Sequence, residues 1–412
     1  MKFAPLRASA VRWLMFLSTV LALPTWAQNY TFEALEQLMR ENSPALRMAA
    51  QMTEEARGAV RTARTFPNPS YESLSGPRRS LPAGVSAGQS RSSSLTQPLD
   101  MPWNRFPRVD AAENGLLAAI AAERSFLNES RARLRLGFFE LIRREGEQRA
   151  AQEDLSLMQN IRQRIALRVE TGESPRFELI KADAETLNAQ KAFETASART
   201  RQARAALRAI VGPSLPENFL VEGRIGDIGT PIQLDQARAQ MFERNPELIQ
   251  ARALRDQAQN QLSEQRALRM PQIALRAELD QDPEMRARRD GVQLTLPIWD
   301  WRGGPVAEAG ARLAQSESQL EFKTFSLQQS LDVAYQQHAI AQAQLRALES
   351  GILKQAEQAL RIAETAYRAG EKGFLEVLDA RRVFRAARNE IINARYELAA
   401  AWTEIARLSD QP

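Results

Sequence analysis

The 412-residue chain has no cysteine and a single histidine, His338, in the stretch AYQQHAIAQAQ. Without cysteine there can be no disulfide framework, no thiolate nucleophile and no acceptor for a lipid after an export cleavage site. One lone imidazole leaves too few soft ligands for a transition-metal centre within one chain. Beyond the N-terminal segment no apolar run approaches the ~20 residues that a spanning helix needs. Glycine-rich phosphate loops are also lacking. RGGPVAEAG (Arg302–Gly310) follows Pro-Trp and reads as a strand-to-helix corner. No nucleophile–base pair is discernible, so the chain does not read as an enzyme and calls for no cofactor. The formal charge is +5, from 55 Lys and Arg against 50 Asp and Glu. The two signs are interspersed along the same stretches, which excludes a nucleic-acid patch.

What is present begins with an export signal. Lys2, Arg7 and Arg12 precede an apolar run from Trp13 to Leu23, and Pro24 and Thr25-Trp26-Ala27 follow. This predicts a signal peptide over residues 1–27, too short for a membrane anchor. Removing its three basic residues takes the charge from +5 to +2. Hydrophobic residues are 44% and charged residues 25%, the proportions of folded protein. Arg, Ala, Glu, Gln and Leu fill long stretches, and all but Gly- and Pro-rich punctuation reads as helix.

The chain spells its plan twice, once over residues 28–229 and again over 230–412. ALRVETGESPRFELIKADA (Ala166–Ala184) aligns with ETAYRAGEKGFLEVLDARR (Glu364–Arg382), sharing Gly172 with Gly370 and Glu173 with Glu371. Ser43-Pro44 and Asn245-Pro246 each start a helix. Pro67 and Pro271 each end one, and a strand pair follows: about 70–75 with 91–97, then about 273–279 with 292–296. Helices of about 66 residues come next, roughly 105–170 and 304–369, each about 100 Å long. They turn at 171–174 and 369–373 into a further long helix. Ala189, Phe193, Ala196, Thr200, Ala203, Leu207 and Ile210 step by 4 and 3, as do Ala387, Ile391, Ala394, Leu398, Ala401, Ile405 and Leu408. That spacing is a coiled-coil seam.

Two strand pairs per chain leave open edges, and unpaired backbone cannot face lipid. Four strands make sense in a membrane only if several chains pool them; three chains give twelve, enough for a pore. Trp103, Trp299 and Trp301 stand at the strand-to-helix boundaries. They read either as a girdle at the membrane interface or as core packing at the joint.

With these features together, the sequence resembles the bacterial TolC-like outer-membrane efflux protein family over essentially its whole exported length. The likeness rests on the two-fold repeat, the Ser43-Pro44 and Asn245-Pro246 helix starts, Pro67–Pro69, the strand-closing QPL and LPIWDW, and YRAGEKGFLEVLDARR. FPNPSYE, SLTQPLD and ELIKADAE look closest to the cobalt–zinc–cadmium branch. The resemblance implies a mainly α fold with a small membrane β-barrel. In this picture a homotrimer pools a 12-stranded barrel in outer-membrane lipid above an α-helical tunnel in the periplasm. It further implies a passive duct fed by a periplasmic adaptor (membrane fusion) protein and a proton-driven inner-membrane pump, with heavy-metal cations as cargo.

By the same resemblance the repeated turns are periplasmic tips that dock the adaptor, at Val169, Thr171, Gly172, Phe177, Tyr367, Ala369, Gly370 and Leu375. Glu170, Glu173, Glu371 and Asp379, with Glu178 and Glu376 nearby, become acidic rings around the bore if three-fold symmetry points them inward. The alternative for each is ordinary helix-end charge. Drug efflux and type I protein secretion stay open as cargoes. A soluble periplasmic coiled-coil scaffold stays open as a different class of function.

Overall fold

The structure is a computed structural model that describes residues 29–78, 88–226 and 229–411. The expected signal peptide, residues 1–27, lies outside the described residues. Strand β1 (Asn29–Tyr30) leads into α1 (Phe32–Asn42) and α2 (Pro44–Arg64). Strands β2 (Ser70–Arg78) and β3 (Gly88–Pro98) follow, then α3 (Pro102–Glu170) and α4 (Arg176–Val211). After β4 (Leu220–Val221) the order runs α5 (Leu234–Arg244), α6 (Pro246–Ala267), β5 (Gln272–Gln281), β6 (Arg286–Thr295) and α7 (Gly303–Ala347). A π-turn (Leu348–Ile352) joins α7 to α8 (Leu353–Arg368), and α9 (Phe374–Leu408) closes the fold.

Local chemistry sets these boundaries. Ser43 and Asn245 each end one helix and start the next with an extended backbone, and a proline occupies the first helical position after each. Asn245 also accepts the Glu247 N–H at 2.9 Å and donates Nδ2 to the Leu408 carbonyl at 2.9 Å. One buried amide thereby caps α6 and binds it to the end of α9.

The helices pack side by side in a single layer. Helix α3, 69 residues and about 100 Å long, is flanked near the strands by α2 and α6 and lower down by α4 and α9. Helix α7 packs on α6 and then on α9, and α8 on α9. The seams are largely alanine: Ala182, Ala189, Ala196 and Ala203 are all buried at seven-residue intervals. The largest core lies midway along α3, where Leu35, Met39, Leu134, Phe138, Leu141, Leu207 and Phe219 pack together beside the small parallel β1–β4 pair.

A layer this thin leaves its borders bare. Phe322, Phe325, Val333 and Ile340 are exposed along α7, and Met48, Met52 and Leu187 along α2 and α4. The accessible surface is 27202 Å² for a mass of 46.2 kDa, against roughly 16,000 Å² for a compact monomer of that mass.

The main sheet is antiparallel in the order β2–β3–β5–β6, with β2 and β6 as edges. All four strands extend further from the helices than the sequence spacing predicts. β6 differs most: it begins at Arg286, where the sequence reading begins at 292. Its outer half, Arg-Ala-Arg-Arg-Asp, has no apolar alternation and is held by register with β5 instead. The helix expected to run unbroken over 304–369 is also corrected. Five residues around Gly351 adopt a π-turn, a wider spacing that hydrophobic periodicity does not encode.

Candidate functional site

The pairing register sorts the sheet into two unlike faces. Tyr71, Leu95, Ala277 and Asp290 stand opposite one another in one row; Gln97, Leu275 and Val292 form the next, and Ile273 and Leu294 the one after. Residues in register share a face. Tyr71, Leu95, Leu275, Leu279, Val292 and Leu294 are all exposed on it. From Ile273 to Leu279 the apolar stretch of β5 runs about 20 Å. The opposite face carries Glu72, Ser94, Glu278 and Arg289 in one row and Thr96, Arg276 and Gly291 in another, with Leu74, Ala274 and Ala287 among its apolar members. There Arg289 donates to Asp280 at 2.9 Å, and Arg276 pairs with Glu278 at 3.7 Å. One surface suits hydrocarbon and its reverse suits water.

A polar joint fixes the sheet to the helices. The buried Asp100 carboxylate accepts from Arg105 at 3.0 Å and Arg108 at 2.6 Å. Asn104 Nδ2 donates to Gln272 Oε1 at 2.8 Å, tying the first turn of α3 to β5. At the other crossing Arg302 takes a left-handed backbone, φ 52°, and its N–H donates to Asp300 at 2.8 Å. Around this joint Trp103, Trp301 and Trp299 are exposed, Trp299 to 95%. They do not fill a core within the protomer.

The far ends of the hairpins close alike. Gly172 N–H donates to the Val169 carbonyl at 3.2 Å and Glu173 N–H to Arg168 at 2.8 Å. Gly370 donates to Tyr367 at 3.1 Å and Glu371 to Ala366 at 2.9 Å. Each pair of bonds is a Schellman cap, and it needs a left-handed residue where the glycine stands.

The eight docking candidates divide by exposure. Thr171, Gly172, Ala369 and Gly370 are exposed at the turns. Phe177 and Leu375 project outward, 58% and 51% exposed. Val169 and Tyr367 are instead partly buried, packed on a cluster with Ile165, Phe374 and Val377. Burial and the neighbouring Glu178 carboxylate both raise the Tyr367 hydroxyl pKa. Glu170, Glu173, Glu371, Glu376 and Asp379 are exposed. Glu173 pairs with Arg168 and Asp379 with Arg382, both at 3.7 Å.

Two residues escaped the sequence reading. Phe374 is 2% exposed and stacks obliquely on Tyr367, ring centres 5.9 Å apart. Its counterpart in the first turn is Arg176, so the repeat itself hid it. Arg381 is 7% exposed, with Glu364 at 3.6 Å, Asp154 at 4.0 Å and the Met158 sulfur at 3.4 Å. Burial lowers its pKa against the pull of those two carboxylates.

His338 is half-buried, and burial lowers its pKa. Among the described residues no group of three His, Cys, Asp or Glu could hold a metal ion. No described helix is long and apolar enough to cross a membrane.

Comparison with known proteins agrees with this architecture. The family described as "Outer membrane efflux protein" matches residues 35–213 and 237–409. The cobalt-zinc-cadmium resistance protein CzcC of Cupriavidus metallidurans is 24% identical over 380 residues, 92% of this chain and 89% of that protein. A crystal structure of a membrane protein from Pseudomonas aeruginosa superposes with a TM-score of 0.82 at 19% identity, covering 92% of each chain. CusC, whose crystal structures concern folding and transmembrane channel formation, gives a TM-score of 0.81 at 19% identity over 92% of this chain and 91% of its own.

Proposed function

The chain belongs to the outer membrane efflux protein family, and from that premise we propose that three copies assemble into a passive exit duct for heavy-metal cations. It is an outer-membrane efflux channel and not an enzyme. The sheet carries the trimer reading. Each copy has an exposed apolar face, a polar reverse and two open edges, β2 and β6. Joining β6 of one copy to β2 of the next pools twelve strands, pairs every edge, turns the apolar face to lipid and encloses the polar one. Trp103, Trp299 and Trp301 then lie at the inner membrane boundary, where indoles sit favourably. The bare apolar borders along α2, α4 and α7 meet in the same closure.

The hairpin ends then lie in the periplasm. Exposed Phe177 and Leu375 with the Gly172 and Gly370 turns form the surface for a periplasmic adaptor protein, which links the duct to a proton-driven inner-membrane pump. Glu170, Glu173, Glu371 and Asp379, tripled by symmetry, favour cations at the entrance. The cobalt-zinc-cadmium resistance of CzcC supports divalent metal as cargo.

The test has two parts. Detergent-purified protein should have a trimer's mass and form pores in planar bilayers; a monomer without conductance refutes the channel. Deletion of the gene should raise cellular cobalt, zinc and cadmium under metal load. Unchanged metal with raised retention of organic toxicants refutes the cargo.

A further inference from the structure

We infer that the outer end of the lipid-facing sheet surface binds phosphate groups of outer-leaflet glycolipid through Arg91, Arg286 and Arg288. The inference rests on the barrel reading above, which decides which face meets lipid. In register, Arg91 lies opposite Gln281 and Gln281 opposite Arg286; Ser93, Leu279 and Arg288 form the row just inside. These positions share a face with Leu95, Leu275, Val292 and Leu294. That face is apolar near the helices and becomes arginine-rich at the hairpin ends, where it leaves the hydrocarbon. From Leu294 to Arg286 is eight residues along β6, about 27 Å before strand tilt. Strand tilt of about 35–45° reduces that rise to about 20 Å, and the long arginine side chains extend from there toward the headgroups.

Charge on this end of the face is one-sided. The acid here is Asp290, which pairs with Arg288 at 2.9 Å. Within the strands of this face, three arginines less Asp290 leave +2 per copy and +6 for three copies, while the turn beyond carries Asp282 and Glu284. Arg289 and Asp280 pair with each other on the reverse face. Asp282, in the turn, accepts from the Glu284 and Met285 amides at 2.9 and 2.8 Å, so its carboxylate is committed to the turn. Charged side chains on edge strands can also serve to deter aggregation. That accounts for Arg286 and Arg288 on β6 but not for Arg91, which is on the interior strand β3. Arginine's planar fork matches phosphate oxygens bidentately, and the outer leaflet offers phosphate densely.

The test uses the full-length trimer in phosphatidylcholine nanodiscs doped with diphosphoryl lipid A. Glycolipid retained per trimer after detergent extraction is counted by native mass spectrometry. Each arginine lost should cost about fivefold in affinity, so R91Q/R286Q/R288Q should bind glycolipid about a hundredfold more weakly. The matching triple lysine variant should recover much of the loss, and D290N should retain more than wild type. Lipid A lacking both phosphates should be retained by none of them. Equal retention by wild type and the glutamine variant, with trimer and conductance intact in both, overturns this inference and leaves the channel reading standing. Failure of the wild type itself to insert as a trimer overturns the channel reading and this inference with it.

Discussion

Gly172 and Gly370, 198 positions apart, hold nearly the same left-handed backbone, at φ 80° and 76°. A Cβ at either glycine would meet nothing within 4 Å, so the constraint is conformational and not steric crowding. Replacing Gly370 with valine should cost about 1–2 kcal/mol at the turn. We expect the variant to assemble as a trimer, measured by mass, yet to export poorly. Asparagine, which tolerates this backbone better, should retain more export. Full export by the valine variant would mean the turn takes no part in docking or gating.

Phe177 and Leu375 occupy matching positions beyond the two turns and project into solvent. Changing both to glutamine should alter stability by less than about 0.5 kcal/mol, since neither is buried. Cross-linking to the adaptor should nevertheless fall sharply. Undiminished cross-linking would move the docking surface away from the tips.

On the sheet, Leu275 and Glu278 belong to opposite faces. Leu275→Arg should destabilise the membrane-inserted trimer by about 2–4 kcal/mol if it reaches hydrocarbon. Glu278→Gln, facing water, should alter conductance but not the temperature at which trimers dissociate. Reversed outcomes would turn the sheet inside out.

Glu247 accepts from Lys323 of α7 at 2.9 Å and from Arg407 of α9 at 3.0 Å. Burial alone would raise its pKa, but the two cations outweigh it and hold the value below 4.5. The ionised form is therefore favoured by folding. Its stabilisation is complete above 4.5 and drains away as pH falls through the lower folded-state value. Urea midpoints should drop on acidification below about pH 4.5, and more steeply in wild type than in E247Q. Parallel pH curves for the two would show that this junction contributes nothing.

The buried Arg381 offers a different contrast. Truncation to alanine leaves a cavity beside Met158 and should cost about 2–3 kcal/mol. Methionine fills the same space beside Met158, while Asp154 keeps Arg385 at 3.1 Å and Glu364 keeps Arg368 at 3.9 Å. That variant should lie within about 1 kcal/mol of wild type in denaturant melts. Equal losses in both would mean that the charge itself is required.

Legibility followed how local each cause is. Prolines 44 and 246 mark helix starts and glycines 172 and 370 mark turns because backbone chemistry within a few residues decides them. Apolar alternation placed the inner halves of the strands. The outer half of β6 was hidden because Arg286, Arg288 and Arg289 are held by pairing with a distant strand. The Asp100–Arg105–Arg108 joint and the setting of Arg381 likewise depend on contacts across elements. The π-turn has only Gly351 to announce it, and a glycine inside a helix carries many meanings.

The single-layer build, with over 27,000 Å² in contact with solvent, has a thermodynamic corollary. In the proposed trimer much of what steadies this polypeptide is supplied by its own siblings, so its melting temperature should be a property of the preparation and climb as protein is concentrated. Dilution alone, with no denaturant, should loosen it.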